Sequence, residues 1–303
     1  MSALSATNPA QVRMAPDPQL QVSLLGVGAM GGRLADLLGT GQIEGCALAT
    51  TIRSTTANPL LAGLLARTDL LAGTDVLVEA AGAEAARAWV PAAVAAGVDV
   101  VLCSCGVLAD PAFLEALAAG GGTGRVLVPS GAIGGLDLFA AASRANQPGT
   151  NQPGVNQPGA DQPTAATSVL LTTTKTPAAL GVITDQPLEV FRGTAREAAL
   201  AHPKTANVAV ALALATIGMD QVSVVMVADP QATRTRHVVT MSSPMGEYEL
   251  TVLNSVTPGS GGRTSAVTPW SVVTVLEALA AGHGAGLLVH PGPQTTPKRE
   301  DTR

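Results

Sequence analysis

Between Gln21 and Val128, short and almost continuously apolar runs alternate with longer segments of helical spacing. The runs include VSLL, CALATTIR, TDVLVEAAG, VDVVLCSC and RVLVPSG; EAARAWVPAAVAAG and PAFLEALAAGG read as helices between them. A strand with one wet face must alternate polar and apolar residues, whereas a strand covered on both faces need not. Repeated strand–helix units of this kind specify an α/β fold, a Rossmann-type doubly wound parallel sheet with helices on both sides.

Past residue 166 the character changes. TSVLLTTTKTP, QPLEVFRG, SVVMVADP, RHVVTMSSP and GEYELTVLNS are short strands rich in β-branched residues, with one helix expected from about Thr194 to Ile217. These strands specify a second, α+β domain with a mixed sheet. The expected layout is a loose tail over 1–19, a dinucleotide-binding domain over 20–135 and an α+β catalytic and dimerisation domain over 136–264. A helical segment within 265–285 is expected to pack back on the first domain, ahead of a polar tail over 286–303. Residues 146–165 carry a five-residue Asn-Gln-Pro-Gly repeat whose regular prolines forbid both a helix and an interior strand, so they are expected to form a disordered surface insertion.

Gly26-Val27-Gly28-Ala29-Met30-Gly31 fits G-x-G-x-x-G. The motif alone is weak; here it follows a strand and opens a helix, the context in which such glycines bind a dinucleotide. The first permits the tight turn, the second lets backbone approach a pyrophosphate and the third allows close helix packing. After the second strand an acidic residue would bind the ribose 2′-hydroxyl of NAD, but this chain has Arg53-Ser54-Thr55-Thr56. Arg53 is either a ligand for the 2′-phosphate of NADP or a solvated loop residue, so NAD or NADP is the expected cofactor.

Other classes are disfavoured. A net charge of −5 argues against a nucleic-acid partner. Aromatics are only 2% of residues, so the core must be aliphatic. Cys46, Cys103 and Cys105 do not form a disulfide framework, and the Cys103–Cys105 spacing is too tight for a zinc pair; small buried thiols are expected, and no metal. The N-terminal residues lack a secretion-signal pattern and no run of about 18 uncharged apolar residues occurs, so a cytoplasmic chain without a membrane partner is expected. Among four histidines, His283 and His290 sit beside glycine- and proline-rich sequence, leaving His202 and His237 as comparable acid–base candidates.

Val128-Pro129-Ser130-Gly131-Ala132-Ile133-Gly134-Gly135-Leu136-Asp137 is more specific, and it resembles the L-aspartate dehydrogenase family. Val78-Glu79-Ala80-Ala81-Gly82, Thr174-Lys175-Thr176-Pro177, Asn207-Val208-Ala209, Val227-Ala228-Asp229-Pro230 and the segment 263–266 agree in order. The resemblance implies a homodimer that interconverts L-aspartate with oxaloacetate and ammonia through iminoaspartate, using NAD or NADP, with the imine able to feed NAD synthesis. It implies His237 as the active-site histidine. It also implies Ala132 and Asn207 as contacts near the nicotinamide, with Ala81 and Gly82 on the cofactor side. Thr205 stands where the family usually has Asn, and Arg263 replaces a common lysine. Lys175, His202, Thr264 and Ser265 are the candidates to hold the substrate carboxylates. Alternatives are another small amino or keto acid as substrate, or a dinucleotide-binding homologue without catalysis.

Overall fold

The computed structural model describes residues 19–53, 70–144, 167–262, 264–282 and 287–289. The expected terminal tails, the proline-rich repeat and the hydroxyl-bearing residues after Arg53 lie outside them, apart from Gln19 and the short strand 287–289.

The first sheet is built from β1 (Leu20–Leu25), β2 (Cys46–Ile52), β3 (Val76–Glu79), β4 (Asp99–Leu102) and β5 (Val126–Val128). Its order is β2-β1-β3-β4-β5, all parallel. Helices α1 (Ala29–Gly39), α2 (Ala83–Ala95) and α3 (Pro111–Ala119) make the crossovers. Because strand residues alternate sides, Val22, Leu24, Val76, Val78, Val101 and Leu127 face one layer while Leu25, Leu77, Val100, Leu102 and Val126 face the other. Each such side chain taken from water contributes about 1.5–3 kcal/mol, so both faces must be covered.

The second sheet follows α4 (Leu136–Arg144). It contains β6 (Ser168–Lys175), β7 (Leu188–Thr194), β8 (Ser223–Ala228), β9 (Thr235–Ser243) and β10 (Gly246–Asn254). Its order is β10-β9-β6-β8-β7, with β6 and β8 parallel and the other pairs antiparallel. The short α5 (Pro177–Leu180) follows β6. Val169, Leu171, Val224, Met226, Val239 and Met241 on its inner face join the same core as one face of the first sheet.

The single helix expected from Thr194 to Ile217 is two: α6 (Ala195–Ala201) and α7 (Asn207–Ala215). Pro203 lacks an N–H and disfavours helical dihedrals at His202, which sits at φ −131°, ψ 57°. The break brings Lys204 and Thr205 to the space between the sheets. After β10, α8 (Thr268–Ala280) returns to the first sheet, packing Val272, Val273, Val275 and Leu276 with Leu34, Leu37 and Leu38 of α1. The tail expected from 286 also needs correction: the apolar triplet β11 (Leu287–Val289) extends the first sheet antiparallel to β5. Among the described residues no helix is long and apolar enough to cross a membrane.

Candidate functional site

The chain leaves β1 for β2 on one side and later places β3 on the other, so a crevice opens at their carboxyl ends. The glycine turn fills it. Gly26 sits at φ +97°, and a Cβ there would lie 2.7 Å from the Ala80 carbonyl oxygen. A Cβ on Gly31 would lie 2.0 Å from the Gly26 oxygen, so α1 can approach the turn only with glycine there. Gly28, the N-cap of α1, has open space beside it and no capping side chain. Free N–H groups and the positive end of α1 therefore face an open cradle, which suits a pyrophosphate. Ala29 is exposed at the same turn, and Met30 reaches the inner end of the crevice. The Gly26 N–H donates to the Ile52 oxygen at 2.8 Å, so Arg53, exposed, leaves β2 directly beside the turn.

Across the crevice Gly82 sits at φ +110° as the N-cap of α2. Its loop is tied down by Glu79, a fully buried carboxylate at the end of β3. Glu79 accepts from the N–H groups of Ala81 and Gly82, both at 2.8 Å, and from the N–H and hydroxyl of Ser104 at 2.9 and 3.1 Å. Burial pushes its carboxyl up, and those four donors oppose the shift. Glu79 thus splices the ends of β3 and β4 where the crevice needs fixed backbone.

A cavity of about 110 Å³ lies between the two sheets at the end of this crevice. His237 on β9 and Lys175 at the end of β6 line it, and they are 2% and 5% exposed. Burial first, and the charge of Lys175 second, lower the His237 imidazole to about 3; burial lowers the Lys175 ammonium to about 8. The imidazole is therefore neutral at neutral pH, with a lone pair to offer, and the ammonium stays largely charged. An anion between them would oppose both shifts.

The opposite wall comes from the glycine-rich loop after β5 and from α7. The Gly131 N–H donates to the Ser271 hydroxyl at 3.1 Å, and the Asn254 amide donates to the Ala132 oxygen at 2.7 Å. Asn207 opens α7; its Oδ1 accepts from the Gly106 N–H at 2.9 Å, which orients its NH₂ group separately. Thr264 and the buried Ser265 add hydroxyls, and Lys204 and Thr205 reach the cavity because Pro203 breaks the helix. Cys103 and Cys105 are buried in the wall, with Cys105 pushed up to about 12 by burial, so neither is a ready nucleophile. No group of three or more His, Cys, Asp or Glu among the described residues is arranged to hold a metal.

The structure thus gathers Met30, Ala132, Lys175, Asn207, His237, Thr264 and Ser265 around one cavity. Gly26, Gly28, Ala29 and Gly31 on one bank of the crevice, and Ala81 and Gly82 on the other, lead to it. His202 does not line it; its ring packs edge-on against Phe191, centroids 5.4 Å apart, at the end of α6. Arg263, His283 and His290 lie outside the described residues. The anchoring roles of Glu79, Asn254 and Ser271 come from contacts that the sequence does not spell out. Only Glu79 carried a signal, as the lone acid ending an apolar strand.

Comparison with known proteins agrees with this geometry. The family model for the C-terminal domain of aspartate dehydrogenase matches residues 160–279, and that for the NAD-binding domain of homoserine dehydrogenase matches 26–126. L-Aspartate dehydrogenase 2 of Bordetella pertussis is 35% identical over 274 residues, covering 84% of this chain and 95% of that one. L-Aspartate dehydrogenase of Ruegeria pomeroyi is 35% identical over 269 residues, covering 87% and 94%. L-Aspartate dehydrogenase of Methanothermobacter thermautotrophicus is 36% identical over 214 residues, covering 70% and 75%. The crystal structure of aspartate dehydrogenase from Thermotoga maritima shares the fold, with a TM-score of 0.60 at 23% identity over 86% of this chain and 97% of that one. On these matches, spanning both sheets, the chain belongs to the L-aspartate dehydrogenase family.

Proposed function

We propose that this chain is an NAD(P)-dependent dehydrogenase that interconverts L-aspartate with oxaloacetate and ammonia through iminoaspartate. The observation that carries this is one cavity lined by a buried neutral imidazole, His237, and a buried ammonium, Lys175, at the inner end of a glycine-lined crevice. A dinucleotide held at Gly26, Gly28 and Gly31, with Ala81 and Gly82 opposite, supplies a hydride acceptor or donor. Lys175 neutralises one substrate carboxylate, with Thr264 and Ser265 donating hydroxyls. In deamination His237 accepts a proton from the α-ammonium, readying the amine for loss of hydride from the α-carbon. After releasing that proton to solvent, His237 takes one from the water that adds to the iminium carbon and returns it to the nitrogen; it then takes the hydroxyl proton as the C–N bond breaks, ammonia leaves and the keto group forms. Asn207 and Ala132 bound the space for the reacting ring.

Arg53 beside the glycine turn, with no acid at that strand end, supports use of NADP alongside NAD. The outer face of the second sheet supports a homodimer. Leu170, Thr172, Val227, Val238 and Thr240 alternate onto it, and Arg236, Glu247 and Glu249 rim it. A face of apolar and β-branched residues rimmed by charges of both signs suits a two-fold partner. On this reading residues 20–135 hold the coenzyme, 136–264 hold substrate and partner, and the enzyme works in the cytoplasm.

Initial rates with oxaloacetate, ammonium and each reduced coenzyme test the proposal. Turnover with oxaloacetate, reduced by roughly 100-fold or more in His237→Ala with coenzyme affinity kept, is the expected result. Turnover confined to other keto acids, or unaltered in His237→Ala, would refute it. Sedimentation at micromolar concentration should report a dimer that Val238→Asp dissociates.

A further inference from the structure

His237 has two ring nitrogens, and the structure commits one of them. Its Nδ1 lies 3.0 Å from the Thr173 hydroxyl oxygen, directly across the β6–β9 pairing, where Thr173 and His237 are register partners. Thr173 is 2% exposed, so no solvent competes for that contact. Nε2 is then the nitrogen left for the cavity that His237 lines. We propose that Thr173 is a positioning residue that holds His237 as its Nδ1–H tautomer, with the hydroxyl oxygen accepting, so that Nε2 alone exchanges protons with the substrate.

Three features point this way. A hydroxyl is neutral, so it can accept from Nδ1–H without stabilising the imidazolium as a carboxylate partner would. The same Nδ1–H···Oγ1 bond is made by the neutral ring and by the imidazolium, so a proton can come and go at Nε2 without the ring reorienting. The Lys175 ammonium shares the cavity and acts on the ring electrostatically; a cation there favours a lone pair, not an N–H, on the cavity side. A carboxylate in place of Thr173 would pin the ring cationic, and an apolar residue would leave Nδ1 buried without a partner. The kinetic consequence rests on the dehydrogenase reading above, whereas the tautomer does not.

The test is the ¹⁵N-imidazole spectrum of the full-length protein at neutral pH, with the His237 signals assigned by their loss in His237→Gln. The expected result is a neutral ring with the proton on Nδ1. Thr173→Val should abolish that single-tautomer pattern and lower kcat at least about tenfold while KM for oxaloacetate changes less than about threefold; Thr173→Ser should restore both. Three results would overturn the proposal: wild-type His237 protonated on Nε2, a Thr173→Val spectrum like the wild type, or failure of Thr173→Ser to restore the pattern. The wild-type spectrum decides even if Thr173→Val does not fold. A Nδ1–H spectrum in a protein that turns over no oxaloacetate leaves the tautomer and the positioning role of Thr173 standing and refutes the dehydrogenase reading alone.

Discussion

The two glycines at the mouth of α1 should separate folding from coenzyme binding. A Cβ on Gly31 would sit 2.0 Å from the Gly26 oxygen, about 1 Å inside the closest approach that real Cβ atoms make, and the obstacle is backbone that no rotamer change can move. Alanine returns about 0.5–1 kcal/mol of helix propensity, but overpacking a tight contact costs about 1–3 kcal/mol and more where backbone must shift. Gly31→Ala should therefore lose about 2 kcal/mol or more, a fall in Tm of roughly 4 °C or more for a domain of this size. A Cβ on Gly28 meets nothing within 4 Å and the residue has φ −71°, so Gly28→Ala should lose about 1 kcal/mol or less. On the proposed function that open space holds the pyrophosphate, so Gly28→Ala should weaken NADPH binding at least about tenfold, near 1.4 kcal/mol. Thermal unfolding and titration of NADPH fluorescence read the two effects. A Gly28→Ala protein that binds coenzyme like the parent would take the pyrophosphate away from this turn, and a Gly31→Ala protein as stable as the parent would show that the turn can yield to a Cβ.

His237 is lowered from 6.5 to about 3 in the folded state, so folding excludes a proton that the unfolded chain takes up. Its contribution to stability is present above pH 6.5 and is lost as pH falls toward 3, at no more than about 1.4 kcal/mol per pH unit. Urea midpoints between pH 7 and 4 should fall more steeply for the wild type than for His237→Gln; parallel curves would remove the buried neutral imidazole from the account. Lys175→Met keeps the stem but deletes the cation, and KM for oxaloacetate should rise about 10- to 100-fold with coenzyme affinity kept. An unchanged KM would place the carboxylate elsewhere. His202 packs against Phe191 outside the cavity, so His202→Gln should leave kcat/KM within about threefold. A larger loss would return it to the site.

What the sequence made legible follows from the range of the forces involved. Strand burial is written locally, so β1, β3, β4 and β5 announce themselves as apolar runs and the glycine turn as a break between strand and helix. Thr173 and Lys175 alternate onto the inner face of β6 by the same rule. Pro203 was visible too, yet a helix through it was expected, because six apolar residues follow in Val208–Ala213 and their spacing outweighed one proline. Partners distant in the chain carry no such local mark. Asn254 reaches Ala132 across 122 residues, and Ser271 reaches Gly131 across 140. Both belong to side chains whose neighbours in sequence look like ordinary strand and helix.

Those long-range contacts also explain why the site needs both sheets at once. The loop after β5 belongs to the first sheet, but Asn254 of β10, on the second sheet, holds its backbone at Ala132. Asn207 belongs to α7, yet its Oδ1 is held by Gly106, just past β4. Each wall of the cavity is thus fixed by the unit that it faces. On the proposed function, a dinucleotide aligned by the glycine turn and a dicarboxylate aligned by Lys175 would meet at a distance that the Asn254–Ala132 and Asn207–Gly106 hydrogen bonds help to set. On that reading, removing one such bond, as in Asn254→Ala, should alter the approach of the two ligands while leaving the glycine turn and Lys175 in place.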